Sequence, residues 1–272
     1  MERPALRLGR STELVPRRQP PNLPTKPPGQ CRAFTISCMP RKPKTVFFDV
    51  GNTLLFPNRQ IIYAPLHERK LFPSQQQLHS IERRTKQEFD ALQQSGKADH
   101  SFWYLFYTHL LEELGAPDEA LRDQLVAATR ISANWGEVRP GTREALERIG
   151  KRYRIGVISN ADGKIATVLE RSNIADCFLT ITDSGLVGHE KPHPAIFHAA
   201  LREMQASPDD SLYVGDVYSV DYLGATGIGM QATLFDVSGA YRENGLPRVE
   251  SLEELEERLG VAAIQPPSGG RI

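Results

Sequence analysis

Residues 45–54 read TVFFDVGNTL. Thr45, Val46, Phe47 and Phe48 form a short run of β-branched and aromatic side chains. The chain then breaks to Asp49 and, after Val50, to Gly51-Asn52-Thr53. Because the run is apolar on both alternations, it predicts a strand buried on both faces, with an acid in the loop at its carboxyl end. Four later segments share that character: 154–159 (RIGVIS), 178–182, 211–214 (SLYV) and 231–236 (QATLFD). Helical patterns over 142–149, 162–172, 194–204, 218–226 and 250–259 separate and close them. Strand alternating with helix predicts an α/β fold, a parallel sheet with helices on both faces.

Residues 59–135 break the alternation. They hold no comparable strand, and helical patterns run over 76–92, 100–114 and 118–131. Asp99 or Ser101 is placed to cap the second, and Pro117 opens the third. The expectation is an inserted all-helical block of roughly 75 residues.

The 272 residues are 40% apolar and 24% charged, enough for a buried core. Lys plus Arg equals Asp plus Glu, at 33 each. That balance excludes a wholly basic nucleic-acid binder. No run of about 18 apolar residues exists, so no membrane span is expected. Three cysteines cannot build a disulfide framework and point to a reducing, cytoplasmic compartment.

The neutral total hides a split. Residues 1–44 hold ten of the 33 basic residues, only the acids Glu2 and Glu13, and nine of the 20 prolines. Their net charge is +8, and the rest of the chain carries −8. Such a segment is expected to be a disordered leader. It lacks the apolar run of a secretory signal, and its prolines spoil the amphipathic helix of a transit peptide. Met39, just before the first strand, is the favoured true start. Cys31 and Cys38 lack a second ligand pair at zinc spacing. Residues 261–272 read as a flexible tail.

Ligands of parallel sheets bind beyond the carboxyl ends of the strands. Those ends carry Asp49, Ser159-Asn160, Asp183 with Lys191 beyond it, and Gly215-Asp216 with Asp221 five residues on. Carboxylates brought together need a cation, so Asp49 and Asp216 suggest Mg²⁺, a hard ion that takes oxygen ligands. A Mg²⁺ ion, a lysine, a serine hydroxyl and loop N–H groups together suit a transferring phosphoryl group, with Asp49 a possible nucleophile.

In order, these motifs resemble those of the haloacid dehalogenase-like hydrolases. Asp49-Val50-Gly51-Asn52-Thr53-Leu54 is similar to the first motif, usually Asp-x-Asp-Gly-Thr. Ser159 is similar to the second, Lys191 with Pro192 and Pro194 to the third, and Gly215-Asp216 with Asp221 to the fourth. The resemblance covers about residues 45–260. It implies a Rossmann-like core (45–57 and 136–260), a helical cap (58–135) and a Mg²⁺-dependent phosphatase of a small phosphorylated metabolite. Asp49, the Gly51 carbonyl and Asp216 would hold the metal. Ser159, Asn160, Thr53 and Lys191 would bind the phosphoryl group, and Asp221 would orient Lys191 or a metal-bound water. Monomer and homodimer stay open.

Position 51 departs from the pattern, because the family's second acid protonates the leaving oxygen and later activates water. Such help is worth roughly 10²–10⁴-fold in rate. Three readings follow: substrates with good leaving groups, such as acyl phosphates; an acid from the cap (His67, Glu68, Glu82 or His100); or a weak enzyme that binds a ligand or partner. Dehalogenases also lack this acid, but Asp216 speaks for phosphorus chemistry. Phosphonatases use a cap lysine, and Lys70, Lys86 and Lys97 are available without a context that selects one. Asn52, in place of Gly, tolerates left-handed angles. Asp162 is expected to cap the following helix. Phe102, Trp103, Tyr104, Phe106 and Tyr107 are expected to form the cap's own core, and Trp135 to pack where the cap rejoins the core.

Overall fold

The computed structural model describes residues 42–96 and 101–261. The basic leader with Cys31, Cys38 and Met39, the positions Lys97, Asp99 and His100, and the tail beyond 261 lie outside the described residues.

Strand β1 (Thr45–Phe48) is buried along its whole length. The chain then runs through β2 (Leu55–Pro57) into five helices: α1 (Arg59–Ile62), α2 (Ala64–Glu68), α3 (Gln75–Gln94), α4 (Phe102–Glu113) and α5 (Glu119–Thr129). It returns through β3 (Trp135–Val138) and α6 (Thr142–Gly150). The alternation resumes with β4 (Arg154–Ser159), α7 (Ile165–Arg171), β5 (Thr180–Asp183), α8 (Ser184–Val187) and α9 (Pro194–Met204). Strand β6 (Ser211–Gly215), a π-turn (Tyr218–Tyr222), α10 (Leu223–Gly227), β7 (Gln231–Phe235), β8 (Arg248–Val249) and α11 (Leu252–Leu259) complete the chain.

Six strands form one sheet in the order β5-β4-β1-β6-β7-β8, with every neighbouring pair parallel. The alternation of β1 divides the core. Val46 and Phe48 pack with Leu146, Ile149, Val168 and Leu255 from α6, α7 and α11. Phe47 packs on the opposite face with Ile196, Phe197 and Leu201 of α9. Helices therefore cover both faces, and the fold is the expected Rossmann-like α/β sheet. Among the described residues no helix is long and apolar enough to cross a membrane.

The five-helix insert has a separate apolar cluster, in which Leu78 and Ile81 of α3 meet Phe106, Tyr107 and Leu110 of α4 and Leu121 and Leu125 of α5. Ser74 and Gln77 close a capping box at the start of α3, and Asp118 caps α5. Strands β2 and β3 pair antiparallel where the chain enters and leaves the insert. With three and four residues, a proline and a bulge, this ribbon carries no alternation for sequence reasoning to detect.

Two local expectations are corrected. Helix α7 starts at Ile165 rather than 162, because Gly163 takes a left-handed φ of 86°. Asp162 does not cap it: its carboxylate accepts from the Ser132 backbone N–H at 3.3 Å. Asp183, one strand away, receives the N–H groups of Gly163 at 3.0 Å and Ile165 at 3.1 Å.

Candidate active site

The parallel register sets Phe48 beside Val157 and Val214, so Asp49, Ser159 and Asp216 emerge on one rim. The turn after β1 is tight. The N–H groups of Thr53, Leu54 and Leu55 all converge on the Val50 carbonyl. Asn52 turns it at a left-handed φ of 54° and donates through Nδ2 to Asp216 Oδ2 at 3.4 Å. At the end of β6, a Cβ on Gly215 would lie 2.5 Å from Asp221 Cγ. Only glycine lets that carboxylate approach. The π-turn carries Asp221 inward, and its Oδ2 accepts from the Val217 N–H at 2.9 Å.

Lys191 joins these parts. Its Nζ donates to Asp49 Oδ1 at 2.6 Å, to the Tyr213 hydroxyl at 2.7 Å and to Asp221 Oδ1 at 2.8 Å. Asn160 fixes the lysine backbone from both sides: Oδ1 accepts from Lys191 N–H at 2.7 Å and Nδ2 donates to its carbonyl at 3.1 Å. Asn160, expected to meet the phosphoryl group, thus also holds Lys191 in place.

Oxygens of Asp49, Asp216 and Asp221, all buried, lie within 4.8 Å of one another. Burial pushes the Asp49 carboxyl up to about 7, against the pull of Lys191, and Asp221 and Asp216 raise it further. Burial likewise lifts Asp216 to about 6, opposed by Lys86. Burial works against the Lys191 ammonium, but Asp221 and Asp49 outweigh it and hold the group above its ordinary range. A crowded, all-oxygen, anionic set fits a hard divalent cation.

A second cation reaches this set from the insert. Lys86 of α3 is buried, with Nζ 3.0 Å from Asp216 Oδ2 and 2.8 Å from Glu82 Oε1. One turn on, Asp90 accepts from the Ser219 N–H and the Tyr241 hydroxyl, each at 2.9 Å. Helix α3 is therefore bound to the core beside the acid it contacts.

A cavity of about 670 Å³ opens over the rim. Asp49, Gly51, Ser159, Asn160, Lys191, Asp216 and Asp221 line its floor. The insert contributes Phe89, Phe102, Trp103 and Arg130 to its wall, and Trp135 stands at the junction. Phe102 and Trp103 therefore face the cavity as well as packing in the insert. Thr53, expected at the phosphoryl group, is not part of the lining, and its buried hydroxyl makes no hydrogen bond among the described residues. Of the expected cap acids, His67 stacks on Phe72 and Glu82 faces Lys86; neither lines the cavity, nor does Glu68.

A family model for haloacid dehalogenase-like hydrolases matches residues 43–229, more than two thirds of the chain. The chain belongs to that family. Relatives of this HAD-like hydrolase include the haloacid dehalogenase-like hydrolase domain-containing protein 3 of Bos taurus. It is 29% identical over 144 residues, which span 51% of this chain and 57% of that protein. A glyceraldehyde 3-phosphate phosphatase of Methanothermobacter thermautotrophicus is 37% identical over 127 residues, spanning 43% and 56%. The chain thus covers little more than half the length of either. In fold it is similar to the HAD hydrolase YfnB of Bacillus subtilis, solved with magnesium bound. That likeness has a TM-score of 0.59 and 18% identity over 80% of this chain and 99% of that one.

Sequence reasoning on this HAD-like hydrolase left Lys86 unassigned and passed over Tyr213. The signal for Lys86 was its spacing: Glu82, Lys86 and Asp90 recur every four residues beside the apolar positions 78, 81 and 89 of α3. Charges that border a buried stripe so regularly belong to an interface. Tyr213 sits mid-strand and reads as core, with no signal for its hydroxyl.

Proposed function

We propose that this HAD-like hydrolase is a Mg²⁺-dependent phosphatase of a small phosphorylated metabolite, acting through an aspartyl phosphate on Asp49. The observation that carries this reading is the Lys191 ammonium shared by Asp49 and Asp221 at 2.6 and 2.8 Å. It keeps a buried carboxylate fixed, oriented and partly neutralised beneath an open cavity. The phosphatase name of the archaeal relative supports the same reading.

Asp49 attacks phosphorus; its carboxylate oxygen forms the P–O bond as the bond to the leaving oxygen breaks. The leaving oxygen takes the electron pair and draws its proton from water. Water then attacks phosphorus, the P–O bond to Asp49 breaks, and inorganic phosphate departs. Ser159 donates to the phosphoryl oxygens, and Lys191 offsets their charge as it builds. Asp49, Asp216 and the Gly51 carbonyl would hold Mg²⁺, which supplies positive charge beside the phosphoryl oxygens. Residues 58–135 serve as a cap over a core of 45–57 and 136–260, closing water out of the site. The low cysteine count suits a cytoplasmic setting.

The test is phosphate release from a panel of phosphorylated metabolites, with and without Mg²⁺, by wild type and Asp49→Asn. The variant should lose at least about 10³-fold in kcat/KM. Equal turnover by both proteins would overturn the reading.

A further inference from the structure

The chemistry missing at position 51 and the shape of the cavity point to the same kind of leaving group. A Cβ on Gly51 would meet the Trp135 ring at 3.5 Å (Cζ3) and 3.6 Å (Cη2), an ordinary contact. The flat indole thus borders the space into which a side chain at 51 would project. Among the described residues, the insert contributes no carboxylic acid and no histidine to the cavity lining. On the core side, Asp221 is bound to Lys191, Asp162 accepts from the Ser132 N–H, and Glu190 is an exposed carboxylate at the cavity edge.

The wall instead presents rings. Trp103 and Trp135 stand 5.5 Å apart, centroid to centroid, at 62°. Phe102 packs edge-on against Trp103 at 5.2 Å and against Phe89 at 5.7 Å. These four aromatics, with Arg130, border a cavity far larger than a triose phosphate needs. Such a wall desolvates and stacks a planar ring.

We propose that the substrate is an aryl phosphate, its ring seated against Trp103 and Trp135 and its phosphoryl group over Asp49. This rests on the phosphatase reading above. A phenol ionises near pH 10, as tyrosine does, whereas an alkanol loses its proton about as reluctantly as water, near 15.7. The aryl oxygen therefore leaves as phenolate when the Asp49–phosphorus bond forms, carrying the electron pair and taking a proton from bulk water. No acid at 51 is needed. An alkyl phosphate at the same site would forgo roughly 10²–10⁴-fold of proton assistance.

The chain has two tryptophans, and both border this cavity, so intrinsic fluorescence reports on it directly. The experiment compares phenyl phosphate, substituted phenyl phosphates, propyl phosphate, glyceraldehyde 3-phosphate and acetyl phosphate as substrates of the full chain with Mg²⁺. Phenyl phosphate should exceed both alkyl esters in kcat/KM by at least about 10²-fold. Rates across the substituted series should rise steeply as the phenol becomes more acidic. Phenylphosphonate should quench the tryptophans and bind at least about tenfold tighter than propylphosphonate. That titration needs no variant. Trp103→Leu should lower the phenyl-to-acetyl ratio of kcat/KM about tenfold.

Alkyl esters cleaved within tenfold of phenyl phosphate would overturn the aryl assignment and leave the phosphatase reading intact. So would acetyl phosphate far outpacing phenyl phosphate with no difference between the two phosphonates. No phosphate from any substrate, acetyl phosphate included, and no phosphoryl group trapped on Asp49 would overturn both.

Discussion

Lys86 of the helical insert places its ammonium 3.0 Å from the Asp216 carboxylate, on the floor of the cavity. Two parts of the chain 130 positions apart thus share one buried charge pair, completed by Glu82 at 2.8 Å. Burial alone would weaken this lysine's hold on its proton, but Asp216 and Glu82 keep its affinity for the proton well above the ordinary range.

Lys86→Met leaves Asp216 and Glu82 without their buried partner. Breaking a buried pair from one side costs about 3–5 kcal/mol. The variant should melt well below wild type in chelator. Excess Mg²⁺ should restore it by a larger step than it gives wild type, about 2–4 °C for each kcal/mol recovered. Calorimetry of both proteins with and without Mg²⁺ reads this. Equal Mg²⁺ increments would show that Lys86 and the metal do not answer to the same carboxylate.

Lys191 serves three acceptors with three N–H groups, and no other side chain reproduces that geometry. Lys191→Arg should therefore lose about as much activity as Lys191→Met, at least about 10³-fold. Tyr213→Phe removes one acceptor and should cost only about 1–2 kcal/mol of stability. Denaturant melts and phosphate-release rates on the three variants separate the two effects. An active Lys191→Arg enzyme would refute the geometric requirement.

The buried acids give the metal-free protein an unusual pH response. Asp49 is raised to about 7 and Asp216 to about 6, both chiefly by burial. A folded state that binds protons more tightly than the unfolded chain gains stability as pH falls. The contribution of these two groups is complete below about pH 4, their unfolded range, and is lost as pH rises through 6 to 7. In chelator, Tm should climb between pH 7.5 and 5.5, and Asp49→Asn should flatten the climb. A Tm that drops on mild acidification in chelator would contradict the assignment.

Gly51 sits at an ordinary negative-φ position, and an added Cβ meets only the Trp135 ring at 3.5 Å. Gly51→Asp should therefore fold and place a carboxyl beside the leaving oxygen. Turnover of alkyl phosphates should rise, by up to about 10²-fold, with little change for phenyl phosphate. The readout is the alkyl-to-aryl ratio of kcat/KM in the two proteins. An unchanged ratio would mean that the indole denies the new carboxyl access to the leaving oxygen.

The parts of the molecule legible in the sequence are those whose signal is local. Strands β1, β4 and β6 are apolar runs that stop at chemistry, and α9 is bounded by Pro194 and the left-handed Gln205. Reading strand ends as one rim brought Asp49, Ser159, Lys191 and Asp216 together because a parallel sheet leaves them no other place. What stayed hidden depends on partners distant in the chain. Lys86 is charged and reads as solvated until Asp216 is set against it. Tyr213 reads as core until Lys191 arrives. Asp162 has the spacing of a helix cap, yet Asp183 holds that position from the next strand. Ribbon β2–β3 and helix α8 are too short to carry a period.

Helix α3 is one continuous rod of 20 residues. It carries Phe89 on the cavity wall, Lys86 on Asp216, and Asp90 on Ser219 and Tyr241. A shift of this rod by a single step would swap the ring offered to the ligand and withdraw the ammonium from the floor in the same movement. On the phosphatase reading, ligand choice and the electrostatic poise of the cavity floor are thus geared together through one helix.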